Sequence, residues 1–428
     1  MTTPVLAEGV RFIDAFCLDL CGTVRGKRLP RDKFDDLQAG KVRFPSAALS
    51  LGLIEDTAST ENLSNFRSED ATAMLRFGPL HLQGDGQLAD CLVGLMKTPA
   101  EAHPLEPRTI LERVLGQLAN EGIFLRLGVE LEFYVFPTGD GDPPPALSPA
   151  APFTGNNLYA LDVMCELGAF HDDVARMCDA LGLAVDALNQ ERGHMQLEVA
   201  FAHSADILGM CDRITLFKKN LKTIARRHGL TATFMAKPFG HLPGSGLHVH
   251  MSAYDTAGRP LFQPGQLGEA SPVVRAVDGL LRTAQDYFLV FAPNMNSYRR
   301  LKSAVTAPAQ VNAATYDRSA AIRIIEGAQS CRLEHRLAGA DANLYLVMAA
   351  LGAGVLEGEP AALEAVKRKS PVPNSMWDTV QAFRGSASVK RRFGAPVARV
   401  LSDIKAKECQ LFNRVIPREE VDCYLDRA

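Results

Sequence analysis

An α+β fold in two units is the class this sequence predicts, and three observations carry it. Residues 10–100 hold short strand-and-turn material, the chain after Pro107 changes to longer helices and strands, and three of four polar blocks in that second part repeat with the two-residue period of a strand. The chain has 428 residues, 47% hydrophobic and 22% charged, which is enough apolar content for a sizeable core and two domains.

Taken in order, Val10–Asp19 reads as a strand, Cys21-Gly22-Thr23 as a turn and Val24–Arg28 as the returning strand of a hairpin. A short helix is expected around Arg31–Gln38, and Gln83–Gly86 is a turn. Thr98–Pro107, with three prolines, reads as a linker. Thr109–Asn120 places Ile110, Leu111, Val114, Leu115 and Leu118 at helical spacing, with Gly122 suited to end the helix. A strand is expected over Phe124–Phe136, followed by a rigid Pro-rich insertion over Asp142–Pro149. Further helices are expected at Asp206–His228, Pro272–Phe291, Asp341–Leu356 and Met376–Phe383. Lys218, Lys219, Lys222, Arg226 and Arg227 lie toward the end of the first of these, where the helix dipole favours cations on a solvated face.

Several function classes are disfavoured by composition. A net charge of −3 argues against binding nucleic acid or a membrane surface. The start of the chain shows no signal peptide, and the longest apolar stretch, Leu344–Leu356, is too short to span a bilayer. Nine scattered cysteines have neither zinc nor redox spacing, which fits a reducing cytoplasm.

The polar blocks are Glu130-Leu-Glu132, Glu191 with Glu198, His248-Val-His250, and Arg332-Leu-Glu334-His-Arg336. Residues two apart on a strand share a face, so the carboxylates and imidazoles aim one way while Val129, Leu131, Phe133, Leu247 and Val249 pack on the other. Five carboxylates and one imidazole (Glu130, Glu132, Glu191, Glu198, Glu334 and His248) suit Mg²⁺ or Mn²⁺, and they outnumber the needs of one ion. Two such ions polarise a phosphoryl group, and Arg300, Arg318, Arg323, Arg332 and Arg336 are candidate anion clamps. Gly244 and Gly246 let the backbone come close to a ligand. Each piece alone has a plainer reading: a surface Glu pair, a hydrogen-bonded His-x-His, a turn, a salt-bridge ladder. Their combination is what such readings leave unexplained.

Seven blocks in order resemble the glutamine synthetase superfamily along nearly the whole chain. They are Asp19–Lys27, Gly128–Phe133, Asn189–Glu198, Lys237–Phe239 with Gly244–His250, Asn296–Leu301, Asp317–Arg323, and Arg332–Arg336 with Gly339–Asn343. The resemblance implies an N-terminal β-grasp domain over 1–103 and a catalytic domain over 104–428, with a curved antiparallel sheet and helices. It implies active sites between subunits of hexameric rings, usually paired into a dodecamer. In that scheme Glu132, Glu191 and Glu198 hold one metal, and Glu130, His248 and Glu334 the other. Arg300 and Arg336 bind glutamate, with Gly244 beside it. Arg318, Arg323 and Arg332 face the phosphates, and His250 and Ser252 lie on the ATP side. ATP then phosphorylates the side-chain carboxylate of glutamate, and an amine displaces phosphate.

Departures from the family pattern bear on the amine. Ammonia-using members carry a glutamate immediately before Ala-Pro in the flap; here Thr306 precedes Ala307-Pro308, and Ser303-Ala304 replaces the usual Pro-Gly. The family's Asp-Gly-Ser-Ser segment is also missing, the nearest stretch being Phe44–Leu49. A pocket without those two anionic groups is larger and less charged, which resembles the γ-glutamyl-amine ligases of amine and polyamine catabolism. An ordinary glutamine synthetase is the alternative. Phe44 and Leu49 hint at apolar walls for the amine, Pro243 replaces an asparagine near the glutamate amino group, and Gly193-His-Met195 replaces Ala-Pro-Gly beside Glu191.

Overall fold

The computed structural model describes residues 5–53, 70–82, 86–98, 100–139, 158–265, 267–268, 271–302, 307–328, 330–360 and 368–426. The Pro-rich stretch Asp142–Pro149, most of the Gln83–Gly86 turn, and the flap residues Ser303, Ala304 and Thr306 lie outside them.

Among the described residues, the first sheet is built from β1 (Phe12–Leu18), β2 (Val24–Pro30), β3 (Arg43–Pro45), β4 (Asp70–Leu75), β5 (Leu80–His81), β6 (Leu88–Thr98) and β7 (Glu101–Ala102). Its order is β2-β1-β6-β4-β3, with β5 and β7 also on β6. The expected hairpin forms, Leu18 opposite Val24, with Gly22 at φ +79° in the turn. Buried Asp19 ties that turn down by accepting from the Thr23 amide at 2.8 Å and Arg25 Nε at 2.9 Å. Two expectations shift. Arg31–Gln38 divides into a 3₁₀ turn, Arg31–Lys33, and a short α-helix, Phe34–Gln38. The expected linker begins by pairing β7 back on β6, so it is part of the sheet.

The second sheet is built from β8 (Phe124–Pro137), β9 (Val185–Gln190), β10 (Gln196–Ser204), β11 (Leu230–Thr233) and β12 (Leu247–Tyr254), while β13 (Gln310–Val311) stands apart. It continues with β14 (Ala313–Thr315), β15 (Ile322–Glu326) and β16 (Cys331–His335). The order is β14-β15-β16-β12-β8-β10-β9, with β11 also on β8. Apart from the parallel β14–β15 pair the neighbours are antiparallel, and the sheet curls into a half-barrel. The α+β class expected from the sequence is the one observed.

Helix boundaries follow their caps. The first long helix runs Pro107–Asn120, two residues earlier than its apolar spacing indicates, because Pro107 occupies the first turn and Glu106 accepts from the Thr109 amide at 2.6 Å. Helix Ile207–Arg227 is capped by Asp206, and Pro272–Phe291 by Ser271. The helix expected from Asp341 begins at Leu344. Asn343 is its N-cap, and Asp341 instead accepts from Asn294 Nδ2 and Ser297 Oγ at 2.8 and 2.7 Å. Helix Leu344–Leu356 is apolar all round, because it packs against both Pro272–Phe291 and Pro107–Asn120. No helix among the described residues is long and apolar enough to cross a membrane.

Candidate active site

Register explains why the polar blocks meet. Across β8 and β10, Glu132 faces Glu198; across β8 and β12, Glu130 faces His248. His250 faces Glu334 across β12 and β16, and Arg323 on β15 faces Glu334 from the other side. The intervening Val129, Leu131, Phe133, Leu247, Val249 and Leu333 are buried on the opposite face. Glu191, just beyond β9, is anchored by its amide donating to the Gln196 carbonyl at 2.8 Å.

Glu130 is the hub. Its Oε1 lies 2.8 Å from His250 Nε2 and its Oε2 3.2 Å from His248 Nδ1. His248 Nδ1 is also 3.9 Å from Glu334, and its Nε2 is 3.8 Å from Glu132. Glu334 is almost wholly buried between two guanidiniums, Arg323 at 3.0 Å and Arg336. Glu132 accepts from the Gly246 amide at 2.8 Å and from Gln196 Nε2 at 3.2 Å. Gly246 has no room for more: a Cβ there would stand 2.8 Å from both Arg300 Nη2 and His248 Nε2.

These contacts divide the carboxylates electrically. Burial works to raise the Glu130 pKa, but the His248 and His250 hydrogen bonds outweigh it and hold the group far below its ordinary value. Glu334 is also lowered: burial opposes, and His248 and Arg336 prevail. Glu191 and Glu198 go the other way. Burial and then the Glu132 charge push Glu191 up to about 7. Burial, followed by Glu130, Glu132 and Glu191, pushes Glu198 up to about 9. That side of the cluster has more negative charge than its protein neighbours neutralise.

Divalent cations fit this arrangement. Glu130, Glu198 and His248 present ligand atoms within 4.8 Å of one another, as do Glu130, His250 and Glu334. The buried His248 Nε2 has no hydrogen-bond partner among the described residues. His250 stands beside Glu130 and Glu334 because its strand lies between theirs, and His248 Nδ1 also lies close to both Glu130 and Glu334.

The other expected residues are placed unevenly. His250, Ser252 and Arg332 line one cavity of about 350 Å³ together with Glu130. Arg332 Nε lies 3.3 Å from His250 Nδ1. Arg300 is buried and donates to the carbonyls of Leu337 and Arg336 at 3.0 and 3.1 Å. Gly244 packs against it, leaving no space for a side chain. Arg318 stands exposed in the loop between β14 and β15, with no hydrogen bond or ion pair to the cluster. Phe44 and Leu49 are buried in the core, so the hint that they wall an amine pocket does not hold: a buried apolar side chain is already in contact with its own fold.

Three contributors escaped the sequence reading. Gln196 bridges Glu132, the Gly244 carbonyl at 3.0 Å and the Gly193 amide at 3.1 Å. Tyr134 Oη donates to the Pro243 carbonyl at 2.7 Å. The Arg126 guanidinium stacks 4.5 Å from the Tyr254 ring centre in the cavity shared with His250. Gln196 and Tyr134 each lie two residues from a candidate ligand on the same strand, a spacing that marks a shared face.

A half-barrel sheet with carboxylates, imidazoles and arginines gathered on one face, backed by helices, presents candidate ligands for divalent cations on an α+β scaffold. The catalytic domain of glutamine synthetase matches residues 104–424, and the chain belongs to that family. It is an ATP-dependent ligase. The chain is 29% identical over 437 residues to the gamma-glutamylputrescine synthetase PuuA of Escherichia coli K12, covering 98% of this chain and 92% of that protein. It is 26% identical over 444 residues to the glutamine synthetase of Halobacterium salinarum, covering 98% and 95%. Among solved structures it resembles GmaS without ligand, with TM-score 0.83, 25% identity and 98% and 97% coverage. A crystal structure of a glutamine synthase homologue, at TM-score 0.79 and 21% identity, covers 96% of each chain and shares the fold.

Proposed function

We propose that this ligase joins the side-chain carboxylate of glutamate to an organic amine through γ-glutamyl phosphate. The observation that carries the choice of amine is Thr306, which puts a neutral hydroxyl where ammonia-using relatives carry a carboxylate before Ala-Pro. A pocket for ammonium needs negative charge to hold the cation and take its proton; a threonine supplies neither. The similarity to a gamma-glutamylputrescine synthetase along 98% of the chain supports the same reading.

Placement supports the following roles. Glu130, Glu132, Glu191, Glu198, His248, His250 and Glu334 would hold two Mg²⁺ or Mn²⁺ ions, which when bound neutralise the phosphate oxygens of ATP. Arg332, His250 and Ser252 border the cavity that would take the nucleotide phosphates. Arg323 and Arg336 flank Glu334 and would meet the transferring phosphoryl group and glutamate; Arg318, exposed in the loop between β14 and β15, would join them only if that loop turned toward the cluster. Arg300 and Gly244 would form the wall that receives the glutamate backbone. The γ-carboxylate oxygen attacks the terminal phosphorus and the bond to the ADP oxygen breaks. The amine lone pair then attacks the acyl carbon, phosphate leaves with the C–O electrons, and the nitrogen sheds its proton.

A homo-oligomer of hexameric rings, in the cytoplasm, belongs to the same proposal, with a division near residue 103 between an N-terminal and a catalytic domain. The test is phosphate release from ATP and glutamate with Mg²⁺ or Mn²⁺ across ammonium, alkylamines, aromatic amines and polyamines. The expected result is turnover with at least one organic amine well above that with ammonium. Ammonium as the best substrate would return the protein to glutamine synthesis.

A further inference from the structure

A second cavity, of about 740 Å³, lies between the β1–β2 hairpin and helix Ile207–Arg227, and shares no lining residue with the cavity around Glu130, His250 and Arg332. Its helical wall is the basic run that the sequence assigns to a solvated face. The structure only partly agrees. Lys218 sits nine positions before the helix end, too far for the terminal dipole to account for it, and it is half-buried. Its ammonium donates to the Ala340 carbonyl at 2.7 Å and lies 5.0 Å from the centre of the Phe234 ring.

The charges around the cavity do not cancel. Arg28 is taken up by Asp14 at 2.7 Å, and Lys219 by Asp90 at 2.6 Å. Lys218, Lys222 and Arg226 have no carboxylate within ion-pair distance among the described residues. Lys222 also lies 5.9 Å from the centre of the Phe234 ring, so one aromatic ring has two ammonium groups near it. Asp14 and Asp341 are the acidic residues of the lining: Asp14 is held by Arg28, and Asp341 accepts from Asn294 and Ser297 through Oδ2 while its Oδ1 has no hydrogen-bond partner among the described residues, so one carboxylate stands against Lys218, Lys222 and Arg226. Burial depresses Lys218 to about 8, the direction that an incoming anion would reverse.

We propose that this cavity binds a small polyanion carrying phosphate or several carboxylates, held by Lys218, Lys222 and Arg226. Two ammonium groups and a guanidinium lining one cavity match the several oxygens of such a ligand.

Calorimetric titration of the metal-free protein with inorganic pyrophosphate and with propane-1,2,3-tricarboxylate tests the site and separates the two sources of negative charge. Binding of either probe by the native chain is expected. Lys222→Ala with Arg226→Ala, both exposed side chains, should weaken it at least about tenfold, as for loss of charge-assisted hydrogen bonds. Glu130→Gln, in the catalytic cluster, should leave it unchanged. Absence of binding at about 10 mM (a Kd weaker than about 3 kcal/mol of binding free energy would give) would overturn the proposal. Equal affinity in the double variant, or loss of binding in Glu130→Gln, would do the same. If the double variant altered only the oligomer mass, the cavity would be a seat for a second copy and the anion site would be refuted.

Discussion

Glu334→Ala is expected to abolish turnover and, in the same variant, to lower stability. The carboxylate stands between Arg323 and Arg336 and within reach of His248, almost fully buried. Truncation removes a candidate metal ligand and leaves two guanidiniums facing each other without their shared counter-charge. Breaking a buried ion pair by deleting one partner costs about 3–5 kcal/mol, and deleting one preorganised electrostatic contact costs about 10²–10³-fold in kcat. Glu334→Gln separates the two effects: it keeps the shape and hydrogen-bond acceptor, so it should recover much of the melting temperature and little of the rate. A Glu334→Ala protein with native rate would remove Glu334 from the site.

The second large effect is on stability against pH in the absence of metal. Glu191 and Glu198 have folded pKa values raised to about 7 and about 9, above those of an unfolded chain. A carboxyl raised in this way contributes stability that is full below its unfolded pKa and is lost as pH rises through the folded value. The metal-free melting temperature should therefore fall as pH rises from about 5 to about 9. Glu130 and Glu334 are lowered, so their contribution is lost only as pH falls below the ordinary carboxylate range, outside that window. Mg²⁺ or Mn²⁺ should remove the fall, raising the melting temperature more at the alkaline end than at the acidic end. Glu198→Gln should flatten the metal-free profile. Thermal scans with chelator and with metal measure both; a flat chelated profile would contradict the charge balance described for the cluster.

Much of this site was legible in the sequence because strand periodicity is local. Glu130 with Glu132 and His248 with His250 share faces whatever lies beside them, and the apolar alternates are buried as the pattern requires. The pairing of His250 with Glu334 was not legible, since it depends on β12 lying beside β16, more than 70 residues later in the chain. Phe44 and Leu49 misled for a related reason: an apolar residue in a segment near a site reads the same whether it walls a pocket or fills the core. The late start of the helix expected from Asp341 comes from its cap. Asn343 Oδ1 accepts from the Tyr345 amide, which the apolar run from Leu344 onward could not reveal. The cation-lined cavity also needs tertiary structure, because its opposite walls come from β2 and from helix Ile207–Arg227.

In the proposed reaction a glutamate carboxylate is phosphorylated at the Glu130–Glu334 cluster before an amine displaces the phosphate. The most direct measurement follows ¹⁸O from the labelled side-chain carboxylate of glutamate during turnover with the preferred amine. The account requires one labelled oxygen in each inorganic phosphate formed, because the C–O bond of the acyl phosphate breaks on the carbon side. Phosphate released without label, while product accumulates, would show that the carboxylate is never phosphorylated and would contradict the account.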